Sequence, residues 1–184
     1  MGKPNIGFVV GSASASSINR QLAQGLMKLI APEANASLIE IAHLPLYNRD
    51  DDAAYPAVFQ ALKDQVKAQD GIVFVTPEQN RSVPALLKNA LDAGSRPYGQ
   101  GAWNGIPAAV IGTSPGAAAT AMAQQHLRNI LVFLDMPVMA QPEGFIRWSD
   151  GLIDAQGEIG EASRKFLQGY MSQFLAWVQV HRKA

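Results

Sequence analysis

Residues 6–22 read IGFVVGSASASSINRQL, and this stretch decides the fold. Ile6, Phe8, Val9 and Val10 form a short apolar run, the composition of a parallel strand covered on both faces. Gly11 closes it. Ser12, Ser14, Ser16, Ser17 and Asn19 crowd the loop that follows, and Ile18, Leu22, Leu26 and Leu29 then recur at the spacing of one helix face. A strand, a hydroxyl-rich loop and a helix start in direct succession aim main-chain N–H groups and the positive end of a helix dipole at one point. Such a point suits an anion with many acceptor oxygens, phosphate above all. A hydroxyl at Ser16 or Ser17 also serves as a simple helix cap, but a cap needs one hydroxyl and the loop holds several. No Walker lysine follows and Gly-x-Gly-x-x-Gly is absent, which disfavours P-loop hydrolysis and the dinucleotide fingerprint.

Working outward, the first helix should finish near Ala31-Pro32. The alternating run from Ser37 to Ala42 then reads as a second strand at a sheet edge. The stretch from His43 to Tyr55 is irregular, and its Asp50-Asp51-Asp52 lacks the spacing of a calcium loop, so it reads as a solvated loop. Phe59, Leu62 and Val66 mark a helix closed by Asp70-Gly71, and Ile72-Val73-Phe74-Val75 reads as a central strand. Pro84 is placed to open the next helix, whose apolar face is Leu86, Leu87, Ala90 and Leu91. Pro107 to Ile111 reads as a fourth strand ended by Gly112-Thr113-Ser114-Pro115-Gly116, and Pro137-Val138-Met139 as a brief fifth. Phe166, Tyr170, Phe174 and Trp177 give a closing helix whose aromatics belong to the core.

Strands alternating with helices predict a doubly wound α/β sandwich around a five-stranded parallel sheet, with a ligand at the carboxyl ends of the strands. Three chemically distinctive loops leave those ends, at 11–19, 77–82 and 113–117, and should converge on one crevice. The length of 184 residues suits a single domain over 1–184. Lys plus Arg and Asp plus Glu balance at 15 each, without blocks of either sign, which argues against nucleic acid and membrane as partners. The sequence has no cysteine, which rules out thiol chemistry and disulfides and fits a reducing compartment. No run approaches the roughly 20 apolar residues of a membrane span. The expected location is cytoplasmic.

Gly112-Thr113-Ser114-Pro115-Gly116 also matches the Gly-x-Ser-x-Gly nucleophile elbow, with Asp135, Asp150 or Asp154 and then His181 in triad order. That mechanism needs an N–H on the residue after the serine, and here this residue is Pro115. Losing such an oxyanion donor costs on the order of 10²- to 10³-fold in rate, so a serine hydrolase at Ser114 is disfavoured.

Taken together, Gly11-Ser12 with Ser17 and Asn19, Pro77-Glu78 with Asn80, Ser82 and Pro84, Leu87-Lys88-Asn89-Ala90 with Asp92, and Ser114-Pro115-Gly116 with Gln125-His126-Leu127-Arg128 resemble the NADPH-dependent FMN reductase family. This flavodoxin-like group includes chromate, quinone and azo-dye reductases. The resemblance implies strand order 2-1-3-4-5, FMN as cofactor, NADPH or NADH as co-substrate, a small-molecule electron acceptor and a homodimer or tetramer. It assigns Ser12, Ser14, Ser17, Ile18 and Asn19 to the FMN phosphate, main-chain donors included. It places Pro77, Glu78, Gln79 and Asn80 along the isoalloxazine, with Thr113, Ser114 and Gly116 beside it. No catalytic side chain is implied, because the flavin carries the hydride. The sequence departs from the family where an arginine often replaces Ser14, a tyrosine Gln79 and a tryptophan Ala93. These departures keep a second reading open, a flavin-binding electron carrier with weak turnover. The family pattern further suggests a subunit contact or nucleotide phosphates for Arg128, against a plain solvated helix face.

Overall fold

A computed structural model describes residues 2–182. Its sheet contains β1 (Asn5–Val10), β2 (Asn35–Ile39), β3 (Gly71–Val75), β4 (Ala108–Ser114) and β5 (Gly144–Arg147), ordered β2-β1-β3-β4-β5 with every pairing parallel. The helices are α1 (Ile18–Ile30), α2 (Ala57–Lys67), α3 (Ala85–Gly94), α4 (Ala121–Phe133) and α5 (Glu161–His181). A 3₁₀ helix spans Arg49–Ala54.

The pleat of the central strands builds two cores. Ile6, Phe8, Val10, Val73, Val75, Ala109 and Ile111 face α1 and α5, while Val9, Ile72, Phe74, Ala108 and Val110 face α2, α3 and α4. Strands buried on both sides must be apolar throughout, which is why β3 reads as an unbroken hydrophobic run. The order of strands reverses between β1 and β3, and the loops after those strands therefore splay apart to leave a crevice.

Several expectations need correction. The second strand lies at Asn35–Ile39, earlier than Ser37 to Ala42, because Asn35 pairs with Asn5 at the start of β1 and the register carries the rest. The fourth strand runs on through Ser114, since Gly112, Thr113 and Ser114 pair with Phe145, Ile146 and Arg147. Consequently the fifth strand is Gly144–Arg147. Val138 makes only an isolated parallel bridge to Ala108. Asp52 does not belong to a solvated run: its carboxylate holds the guanidinium of Arg96 and accepts from the Tyr47 hydroxyl at 2.9 Å. Of the closing aromatics, Tyr170 and Phe174 are fully buried and Trp177 is partly so, but Phe166 is 46% exposed. Tyr170 donates to the Val110 carbonyl at 2.8 Å, and burial pushes its phenol far up.

Candidate active site

The carboxyl ends of β1, β3 and β4 meet at a crevice of about 240 Å³ lined by Ser12, Ser16, Ser17, Ile18, Asn19, Pro77, Glu78, Thr113, Ser114 and Pro115. All three loops contribute, as expected. Two glycines permit the approach. A Cβ on Gly11 would sit 3.1 Å from Pro77, and one on Gly112 would lie 2.1 Å from the Thr76 carbonyl oxygen, so β4 could not pass this close to the end of β3 with any side chain there.

Ser17 is the cap of α1, its Oγ accepting from the Arg20 N–H at 3.2 Å. Among the described residues nothing accepts from the main-chain N–H groups of Ile18 and Asn19, the first two of the helix. Both residues line the crevice, and orphan donors at a helix start are what a phosphate takes. The Asn19 side chain has another task. Its amide donates to the Thr113 carbonyl and accepts from the Thr113 N–H, both at 2.9 Å, tying α1 to the end of β4. Only its main chain is left for an anion.

Glu78 supplies the one charged side chain in the lining, and it is turned away. Its Oε2 accepts from the N–H groups of Met122 at 3.0 Å and Ala123 at 3.1 Å, capping α4, and Oε1 lies 3.9 Å from Arg81. The positive end of α4 offsets part of its charge toward a phosphate guest. Thr113 Oγ1 is buried and lacks a hydrogen-bond partner among the described residues. The donors, the orphaned hydroxyl and the masked carboxylate together fit a phosphate-bearing cofactor such as FMN.

The remaining sequence candidates lie around this crevice rather than in it. Ser14 is exposed, its Oγ 3.2 Å from that of Ser16, and its carbonyl accepts from the Ser17 N–H. Gly116 is exposed and donates its N–H to Ser114 Oγ at 3.2 Å. Gln79 and Asn80 line a separate groove of about 780 Å³ between α3 and α4, which also holds Ser82, Lys88, Gln125 and His126. Reasoning from sequence left Pro115 and Ser16 out of the assigned site residues, although Ser16 already stood among the crowded hydroxyls of the loop. Arg147 is exposed and pairs with Ser114 at the end of β5 but does not line the crevice, a position that only the corrected strand register reveals.

Ala93, where the family often has tryptophan, is wholly buried in the core and lines neither the crevice nor the groove. Arg128 presents no solvated face, for Nη1 donates to the Met139 carbonyl at 2.7 Å while Nε and Nη2 are buried without hydrogen-bond partners among the described residues. The hydrolase triad is not assembled. Ser114 Oγ accepts from Gly116, whereas His181 stacks on Trp177 with ring centroids 4.0 Å apart, three residues beyond Val178, which packs at the amino end of β3.

Comparison with known proteins identifies the family. A family described as NADPH-dependent FMN reductase matches residues 4–148. The chain is 47% identical over 178 residues to a 2-hydroxy-1,4-benzoquinone reductase from a Burkholderia species, covering 96% of this chain and 97% of that protein. It is 44% identical over 179 residues to a quinone reductase from Pseudomonas putida, with 97% and 96% covered. Among solved structures, the flavoenzyme FerB, an NAD(P)H:(acceptor) oxidoreductase from Paracoccus denitrificans, superposes with a TM-score of 0.94 at 40% identity, covering 98% of this chain and 100% of that one.

Proposed function

This chain belongs to the NADPH-dependent FMN reductase family, and from that membership we propose a quinone as its electron acceptor and the crevice at the ends of β1, β3 and β4 as its flavin site. It is an FMN-dependent NAD(P)H oxidoreductase. FMN, when bound here, would supply the hydride chemistry between the nicotinamide nucleotide and the acceptor. The protein's part is to bind, orient and shield. The Ile18 and Asn19 N–H groups with the Ser12 and Ser17 region would hold the phosphate, and the main chain of 77–80 and of 113–116 would border the ring. Glu78 fixes the loop after β3 to α4, and Asn19 fixes α1 to the end of β4.

The observation that carries the reading is the pair of free helix-start donors facing a crevice whose sole carboxylate is spent elsewhere. Quinone specificity draws on the curated relatives, whose names are those of quinone reductases. No helix among the described residues is long and apolar enough to cross a membrane. With the absence of cysteine, we infer a cytoplasmic enzyme. Val132 and Phe133, 67% and 87% exposed at the end of α4, support a homodimer or tetramer, which light scattering tests.

Purified protein should be yellow, bleach on adding NADPH or NADH without air, and recover its colour on adding 1,4-benzoquinone. A yellow protein indifferent to nicotinamide nucleotides would be an electron carrier. A colourless one that ignores added FMN would refute the flavin site.

A further inference from the structure

The loop after β3 carries an anomaly. Asn80 and Arg81 have φ of 49° and 64°, both in the left-handed region, although neither is glycine. Gln79 and Ser82 exchange both main-chain hydrogen bonds, at 3.0 and 2.9 Å, so the segment is a two-residue hairpin turn. Its second central position ordinarily takes glycine, and arginine there is strained. Such conformations persist where the surroundings over-determine them, and here they do. Ser82 Oγ lies 2.9 Å from His126 Nδ1 on α4, and Glu78, just before the turn, caps the start of the same helix. The hairpin is bolted to α4 at its base, with Arg81 at its tip.

The tip stands between two spaces. Pro77 and Glu78 line the crevice, and Gln79 and Asn80 line the α3–α4 groove. The Arg81 side chain is 75% exposed, and the carboxylate it reaches, Glu78 at 3.9 Å, already serves the α4 N–H groups. Lys88, which lines the groove with Gln79 and Asn80, is committed to Asp92 at 2.8 Å. A guanidinium on a rigid post, with its fork of donors open, matches a phosphate monoester. NADPH and NADH differ by one such group, the 2′-phosphate.

We propose that Arg81 recognises the 2′-phosphate of NADPH and sets the preference between the two nucleotides. The proposal rests on the flavoenzyme reading above and adds the residue that decides its co-substrate.

The test is calorimetric titration of the holoprotein with 2′,5′-ADP, which carries the phosphate, and with 5′-AMP, which lacks it. Wild-type protein should bind 2′,5′-ADP about 10- to 100-fold more tightly, the range of charge-assisted hydrogen bonds. Arg81→Gln should erase most of that difference, Arg81→Lys should keep part of it, and the NADPH-to-NADH ratio of kcat/KM should fall in step. Arg81→Gly should lose discrimination while raising the thermal midpoint, since glycine takes the left-handed backbone freely. Arg147→Gln, at the end of β5, should leave discrimination intact. Equal binding of the two probes by wild type, discrimination that survives Arg81→Gln, a loss that follows Arg147→Gln instead, or a glycine variant of lower stability would each overturn the assignment. Every preparation should be yellow and bleach with NADH; a failure there would sink the flavoenzyme reading and not this one.

Discussion

Asn19→Ala is the substitution whose consequences the structure specifies most fully. The amide bridges α1 to β4 through two hydrogen bonds of 2.9 Å, and Asn19 and Thr113 are 2% and 1% exposed. Removing it leaves a buried N–H and a buried C=O of Thr113 without partners, each costing about 1–3 kcal/mol. Allowing for partial access of water from the crevice, the expected loss is about 2–4 kcal/mol. For a chain of this size that lowers the thermal midpoint by roughly 5–15 °C. Urea denaturation of the apoprotein with an unchanged m-value is the assay, followed by FMN titration of the folded variant. Stability should fall without any flavin present, and FMN affinity should fall with it because the first and third loops are no longer tied. An apoprotein within about 0.5 kcal/mol of wild type would refute the clamp. A loss confined to the FMN-bound form would show that the side chain acts on the phosphate directly.

Gly112→Ala sets a methyl group 2.1 Å from the Thr76 carbonyl oxygen and 2.4 Å from Thr120 Oγ1, so it should cost about 3 kcal/mol or more and lower FMN affinity, read by denaturation and titration. Glu78→Ala uncaps α4, with an expected cost of about 1–2 kcal/mol and faster amide exchange at Met122 and Ala123. Ser14→Arg restores a cation beside the phosphate loop and should tighten FMN about 10- to 100-fold; no tightening would show that the exposed rim at Ser14 is outside the phosphate's reach. Hydrogen bonding to Arg20 holds the Glu40 carboxyl below its usual range, and Arg96 does the same for Asp52. Both folded-state values are depressed, so this stabilisation is complete above the ordinary carboxylate range, near pH ~4, and drains away as pH falls through the lowered values. The double variant Glu40→Gln, Asp52→Asn should therefore show a shallower loss of stability in acid, and an unchanged acid limb would refute the assignment.

What the sequence determined was local. The apolar run of β1, the hydroxyl-rich turn and the helical spacing of Leu22 and Leu26 are short-range patterns, and they suffice to place a phosphate loop at the start of a helix. Unbroken apolar runs likewise identify β3 and most of β4, because a strand buried on both faces has no polar alternative. Tertiary structure decided the rest. β5 carries only four residues and half of them are exposed, so its pattern is too weak to read; its place comes from pairing with β4. The duties of Asn19 and Glu78 depend on Thr113, Met122 and Ala123, which lie more than forty residues away along the chain. Whether a polar side chain meets a ligand or a neighbouring backbone is settled by which orphan groups folding brings within hydrogen-bond reach, and no local pattern encodes that distance.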